Sequence, residues 1–188
     1  MLSPFITALV FLINTLFGLY ILLFMLRLLL QWMRVRFRND PILQLLLRLT
    51  NPPLQFLYKF IPAWRDIDFA IIVFMLALKM LELSLITWLY GQSIAITSLF
   101  FLSLAQLLSL LIYIFIFAII IQVILSWIAR DTYNPLANIL YDLTEPLLRL
   151  VPRGISPVQG MDFSPLIVIL VLQLANILVV GLLQELAG

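Results

Sequence analysis

The segment Thr50-Asn51-Pro52-Pro53-Leu54 through Asp68-Phe69 recurs 94 residues later as Thr144-Glu145-Pro146-Leu147-Leu148 through Asp162-Phe163, and each copy lies between two long apolar runs. A repeat at a fixed spacing constrains architecture strongly, because both copies must fold in the same way and find the same surroundings. The 188 residues therefore read as one membrane domain made of a first repeat, 1–91, and a second, 92–188.

The solvent for those runs is lipid. Apolar residues make up 64% of the chain and charged residues 11%, against roughly 45–50% and about 25% in soluble domains. A span needs about 20 apolar residues. Two candidates cover residues 5–30 and 69–89, and the stretch 83–129 is free of charge for 47 residues. That length holds the end of one helix, a turn at Tyr90-Gly91-Gln92-Ser93 and a third span ending near Trp127; a fourth span covers 165–183. Residues 1–26 carry no charge, so the N-terminus lacks the positive region of a secretory signal and reads as a retained first span.

Six of the eleven Lys and Arg residues lie in the first long connection (Arg34, Arg36, Arg38, Arg48, Lys59, Arg65) and three in the second (Arg130, Arg149, Arg153). Positive charge marks the cytoplasmic side, which places both connections inside and both termini outside. Two spans per repeat then give the copies the same orientation, with their symmetry axis along the membrane normal. The Arg34, Arg36, Arg38 cluster fixes topology and is a secondary candidate for contact with anionic lipid. Trp32 and Trp127, at corresponding span ends, suit interfacial anchoring.

Within each connection, proline interrupts an amphipathic pattern. Pro41 opens one stretch and Thr50-Asn51-Pro52-Pro53 breaks it; Asn134-Pro135 and Thr144-Glu145-Pro146 do the same in the second copy. The pattern predicts a pair of short amphipathic helices per repeat, with Thr50 and Thr144 as N-caps of the second member and Asp68 and Asp162 as N-caps of the following span. Each nine-residue stretch is only about 13 Å long. That suits helices lying flat in the interface, the alternative being a re-entrant hairpin that enters half of the membrane.

The chain has no cysteine and no histidine. Thiolate nucleophiles, disulfides, zinc fingers, histidine acid–base chemistry and histidine-ligated haem are excluded. No phosphate loop, nucleophile elbow or dinucleotide turn is present. The carboxylates Asp66, Asp68, Asp142, Glu145 and Asp162 are accounted for by capping and topology. The reading is accordingly an all-α protein that is not an enzyme, with no metal site, no cofactor and, at a net charge of +2, no direct nucleic-acid binding. Its expected partners are membrane lipids and other integral membrane proteins or further copies of itself.

Chemistry inside the membrane is confined to a few polar residues at corresponding depths. Arg27 lies five residues before Trp32 and Gln122 five before Trp127, while Lys79 and Glu82 match Gln173 and Asn176. An ionisable group at the centre of a span costs at least about 2.5–3.5 kcal/mol, so such groups usually face the protein interior. Three readings stand: Glu82 neutralises Arg27 or Lys79 while the amides bond between helices; the set forms a polar path for an ion or solute; or the cations snorkel to an interface. On the cytoplasmic side, the stripe Gln44, Arg48, Asn51, Gln55, Lys59 matches Asn138, Asp142, Glu145, Arg149, Arg153. A solvated or headgroup-facing stripe explains it, as does pairing of Arg48 with Asp142 or Glu145 between repeats. Arg48, Asp142, Glu145 and Arg149 are the candidates for interaction.

A span ending in Gln31-Trp32 or Ser126-Trp127, then Asn39-Asp40-Pro41 or Tyr133-Asn134-Pro135, then Thr-x-Pro-x-Leu, a proline turn, Asp-Phe and another span resembles the YggT/YlmG family in its two-repeat proteobacterial form. The second copy, with Thr144-Glu145-Pro146-Leu147-Leu148-Arg149 and Met161-Asp162-Phe163-Ser164-Pro165, fits that pattern better than the first, which has Ala70-Ile71 in place of Ser-Pro. The resemblance implies a bacterial inner-membrane protein with no known enzymatic activity, for which the outer side reached by both termini is the periplasm. It also implies a part in assembling or organising membrane complexes and in tolerance of osmotic stress; the alternative, a channel or transport component for ions or osmolytes, is supported by the polar positions repeated at corresponding depths.

Overall fold

A computed structural model describes residues 4–33, 41–59, 68–128, 135–149 and 164–188. Six helices follow in order: α1 (Pro4–Trp32), α2 (Pro41–Leu57), α3 (Phe69–Leu89), α4 (Ile96–Ile128), α5 (Pro135–Leu148) and α6 (Ser164–Ala187). Long, short, long therefore occurs twice. The four long helices, of 29, 21, 33 and 24 residues, are each long and apolar enough to cross a membrane. At 1.5 Å per residue they measure about 43, 31, 50 and 36 Å, against a hydrocarbon core of about 30 Å. Thus α1 and α4 have turns to spare, and Arg27 sits in the last two turns of α1.

Local chemistry sets several ends. Pro41 and Pro135 open α2 and α5, where a missing N–H costs nothing. Asp68 is extended and its carboxylate accepts the Ala70 N–H at 3.1 Å, capping α3 as expected. At the other end of α3, Gly91 has φ +67°. Gln92 N–H reaches Thr87 O at 3.0 Å and Gly91 N–H reaches Trp88 O at 2.9 Å. These are the paired bonds of a Schellman motif, which close the helix at the turn expected at Tyr90-Gly91-Gln92-Ser93.

The proline break does not occur. The helix α2 runs unbroken through Pro52 and Pro53, and α5 through Pro146. Each connection holds one amphipathic helix within the described residues, and Thr50 and Thr144 are interior residues rather than N-caps. The carbonyls of Arg48 and Leu49 have no N–H four residues on to accept. Both residues lie on the exposed side of α2, where water or headgroups can serve them. Asp162, Arg34, Arg36, Arg38, Arg65, Arg130 and Arg153 lie outside the described residues.

The chain forms two compact units, residues 1–107 with 183–188, and residues 108–182. In the first, α1 packs along α3 and α2 touches both. Ile21, Phe24, Met25 and Leu29 of α1 are buried with Ala70, Ile71 and Met75 of α3 and with Leu43, Leu46 and Leu54 of α2. Phe24 is edge-on to Tyr20 and to Phe74, with ring centroids 4.9 Å away in each case. Such pairs add about 0.5–1.5 kcal/mol beyond burial. Ser98, in the first turn of α4, donates to the Ala187 carbonyl at 2.5 Å and satisfies an end of α6. In the second unit, Ile116, Ala118 and Ile119 of α4, Leu143 of α5 and Val168 of α6 are buried.

Candidate functional site

Arg27 is 7% exposed. A guanidinium held in a span's last turns needs acceptors, and α2 supplies them: Nη1 donates to Thr50 Oγ1 and Asn51 Oδ1, both at 2.7 Å, and Nη2 to the Tyr58 hydroxyl at 3.4 Å. Tyr58 in turn donates to Asp68 Oδ2. Because Asp68 Oδ1 caps α3, one polar chain ties the end of α1, two positions of α2 and the start of α3. The cation is served by neutral oxygens, with the carboxylate one hydrogen bond away. Burial and the bond to Asp68 push the Tyr58 phenol up to about 12, against a smaller opposing effect of Arg27.

The Thr50 hydroxyl is fully buried and spends its own proton on Leu46 O at 2.7 Å. This back-bond is compatible with a helix interior, and it leaves the oxygen lone pairs for Arg27. The same arrangement recurs in the second unit without the charge. Buried Thr144 contacts Gln122 Oε1 and also lies 2.8 Å from Leu140 O. One hydroxyl proton cannot serve both acceptors. Turned over, the Gln122 amide donates from Nε2 and reproduces the Arg27–Thr50–Leu46 pattern. The residue matching Tyr58 at the repeat spacing is Pro152, so the second copy has no phenol to carry the chain onward.

The other intramembrane set is local. Lys79 Nζ is 2.8 Å from both oxygens of Glu82, and their side chains are 15% and 2% exposed. Glu82 therefore neutralises Lys79, while Arg27 is served by α2. On α6, Gln173 is half-buried and Asn176 is buried. Asn176 Oδ1 and, in the first unit, Ser103 Oγ have no hydrogen-bond partner among the described residues.

On the short helices Arg48, Asp142 and Arg149 are exposed and Glu145 is half-buried. Arg149 Nη2 lies 2.5 Å from Glu145 Oε1, one turn away on the same helix. An exposed pair of this kind contributes about 0–1 kcal/mol. Trp32 is exposed at the end of α1, while the side chain of Trp127 lies outside the described residues. No group of three or more metal-ligating side chains occurs among the described residues. Sequence reasoning missed Tyr58, which has no counterpart in the other copy, and misassigned Thr50 and Thr144. The signal for the threonines was present: their identity persists while the charges around them change.

Four helices, each long and apolar enough to cross a membrane, define a multi-span membrane protein. The chain belongs to the CCB3/YggT family, whose model matches residues 6–89 and 101–183. It is 36% identical over 184 residues to an uncharacterised protein of Pseudomonas aeruginosa, covering 97% of this chain and 93% of that one. It is 33% identical over 170 residues to an uncharacterised protein of Vibrio alginolyticus, covering 89% and 91%. To the uncharacterised protein YggT of Escherichia coli K12 it is 31% identical over 185 residues, covering 94% and 91%. No solved structure matches it. This member is a multi-pass membrane protein with bacterial relatives.

Proposed function

We propose that this protein is an assembly or organising factor for membrane protein complexes, built from two like-oriented repeats with periplasmic termini and with α2 and α5 on the cytoplasmic side. The observation that carries the reading is the local use of both intramembrane cations. Arg27 binds Thr50, Asn51 and Tyr58, and Lys79 binds Glu82. Arg27 spent in this way fixes α1 against α2, Lys79 is neutralised within α3, and neither is left to line a free path. What stays available is the exposed polar side of α5, where Asp142, Glu145 and Arg149 offer both signs of charge. The two segments matched by the family model support the duplication, and the positive charge of the connections supports the orientation.

Photo-crosslinking from Asp142 or Arg149 in native membranes tests this reading. A reproducible membrane-protein partner, lost when Asp142 and Arg149 are neutralised, is the expected result; capture of lipid alone would overturn it. A second reading, a channel or transport component linked to ion or osmolyte homeostasis and osmotic stress, is favoured by one feature. Asn176, at the position matching Glu82, is buried with an unpartnered oxygen. Purified protein in liposomes decides it: flux that disappears with Asn176→Leu while the melting profile is unchanged supports transport, and the absence of flux rejects it.

A further inference from the structure

The surface of α2 is divided lengthwise. One side, Leu43, Leu46, Thr50 and Leu54, is buried in the first unit. The remaining surface is not uniform. Gln44, Arg48 and Gln55, spaced four and seven residues apart, share one exposed stripe of α2 about 16 Å long, and exposed Lys59 follows in the turn just after the helix. Leu45, Leu49 and Phe56, spaced four and seven apart, form a second stripe beside it and are 56%, 48% and 64% exposed. At 100° per residue the two stripes are centred roughly 90° apart. A helix in water has no use for an exposed leucine stripe, and a helix inside hydrocarbon has none for a glutamine and arginine stripe. A helix lying in the boundary plane accommodates both.

Placement agrees with this division. The bonds from Arg27 hold α2 against the last two turns of α1, the spare length of a helix that exceeds the membrane core. The polar stripe of α2 and the turn just after it carry two cations and no carboxylate. At the position of Arg48, α5 has Asp142, and its exposed polar side carries Asp142 and the Glu145–Arg149 pair. The two short helices therefore differ in charge while sharing a scaffold.

We infer that α2 is a lipid-binding helix that lies flat in the membrane interface, with Leu45, Leu49 and Phe56 among the acyl chains and Arg48 and Lys59 on the phosphates of anionic glycerophospholipid. It binds membrane lipid and not soluble phosphate, because the leucine stripe has to be covered along with the charges. The inference shares with the assembly reading only the hold of Arg27 on α2; the partner surface of that reading lies on α5.

The test uses the full chain in nanodiscs with spin-labelled lipids. The expected result is a preference for phosphatidylglycerol over phosphatidylcholine that falls roughly fivefold for each of Arg48→Gln and Lys59→Gln, the equivalent of about 1 kcal/mol per cation near the surface. The matching α5 change, Asp142→Asn with Arg149→Gln, leaves the preference intact, and excess soluble glycerol phosphate does not compete. Since the native chain lacks cysteine, single nitroxide labels at Leu49→Cys and Arg48→Cys report depth directly. The label at 49 is expected to meet oxygen and the label at 48 to meet an aqueous nickel complex. No lipid preference in the native protein, a preference that survives both substitutions, competition by glycerol phosphate, or equal depths for the two labels would each overturn the inference.

Discussion

Arg27 and Thr50 are 23 residues apart in sequence and meet at 2.7 Å, guanidinium to hydroxyl, in a buried contact between a membrane span and a surface helix. Removing the hydroxyl strands a buried donor, which costs about 1–3 kcal/mol. Thr50→Val is therefore expected to lower thermal stability in detergent by that order, and Thr50→Ser by less. Arg27→Gln should be milder than Arg27→Leu, because Gln122 performs the corresponding task in the other unit. If Arg27→Leu melts like the native protein, the contact is not holding α2.

The Lys79–Glu82 pair makes a sharper demand. Replacing Glu82 alone by Asn leaves a largely buried ammonium without its counter-ion, a loss of about 3–5 kcal/mol for buried pairs. The double change Lys79→Gln with Glu82→Asn installs the combination that α6 has at Gln173 and Asn176, and it should recover most of that loss. Unfolding of the four proteins in a double-mutant cycle measures the coupling. Additive effects would contradict the pair.

Tyr58 gives a pH signature outside the spans. Its phenol is raised to about 12 by burial and by its bond to Asp68. The folded state therefore holds this proton more tightly than the unfolded state does. The resulting stability is fully present below pH of about 10, the ordinary tyrosine value, and is lost as pH rises toward 12. Ultraviolet titration should show one late-ionising tyrosine that disappears in Tyr58→Phe, while Asp68→Asn moves it down toward the ordinary range. A Tyr58→Phe protein with the native titration curve would refute the assignment.

Gly91 and Gly181 separate backbone strain from packing. A Cβ at either position meets nothing within 4 Å, but only Gly91 has φ in the left-handed region, at +67°. Alanine at 91 is expected to cost about 1–2 kcal/mol. Alanine at 181, within α6, should be neutral or stabilising by roughly 0.5–1 kcal/mol. Comparison of their melting temperatures checks the Schellman turn.

The spans were legible because the membrane imposes a length: residues 5–30, 69–89 and 165–183 fall within Pro4–Trp32, Phe69–Leu89 and Ser164–Ala187. The cap at Asp68 and the turn at Gly91 were legible because their chemistry is local. The helix α2 was not. Thr-x-Pro has a strong local meaning as a helix start, and here long-range contacts override it. Buried Leu46 and Leu54 on either side of Pro52 and Pro53, together with the hold of Arg27 on Thr50 and Asn51, outweigh two missing backbone bonds on the exposed side. Which polar residues lie within the long apolar helices was readable from the sequence, but the choice of partner was not. A sequence alignment of copies cannot show that Glu82 serves Lys79 one turn away while Arg27 turns to α2.

The contact between Ser98 and Ala187 has a consequence for how such a chain is made. The first compact unit includes residues 1–107 and also residues 183–188, so its members are not contiguous in sequence. Residues 183–188 must be synthesised before the first unit is complete, although most of that unit lies more than 75 residues earlier in the chain. A fragment cut at the turn after α3 would lack both the start of α4 and the end of α6, and the tail that closes this fold would have to be supplied by co-expressing the other half.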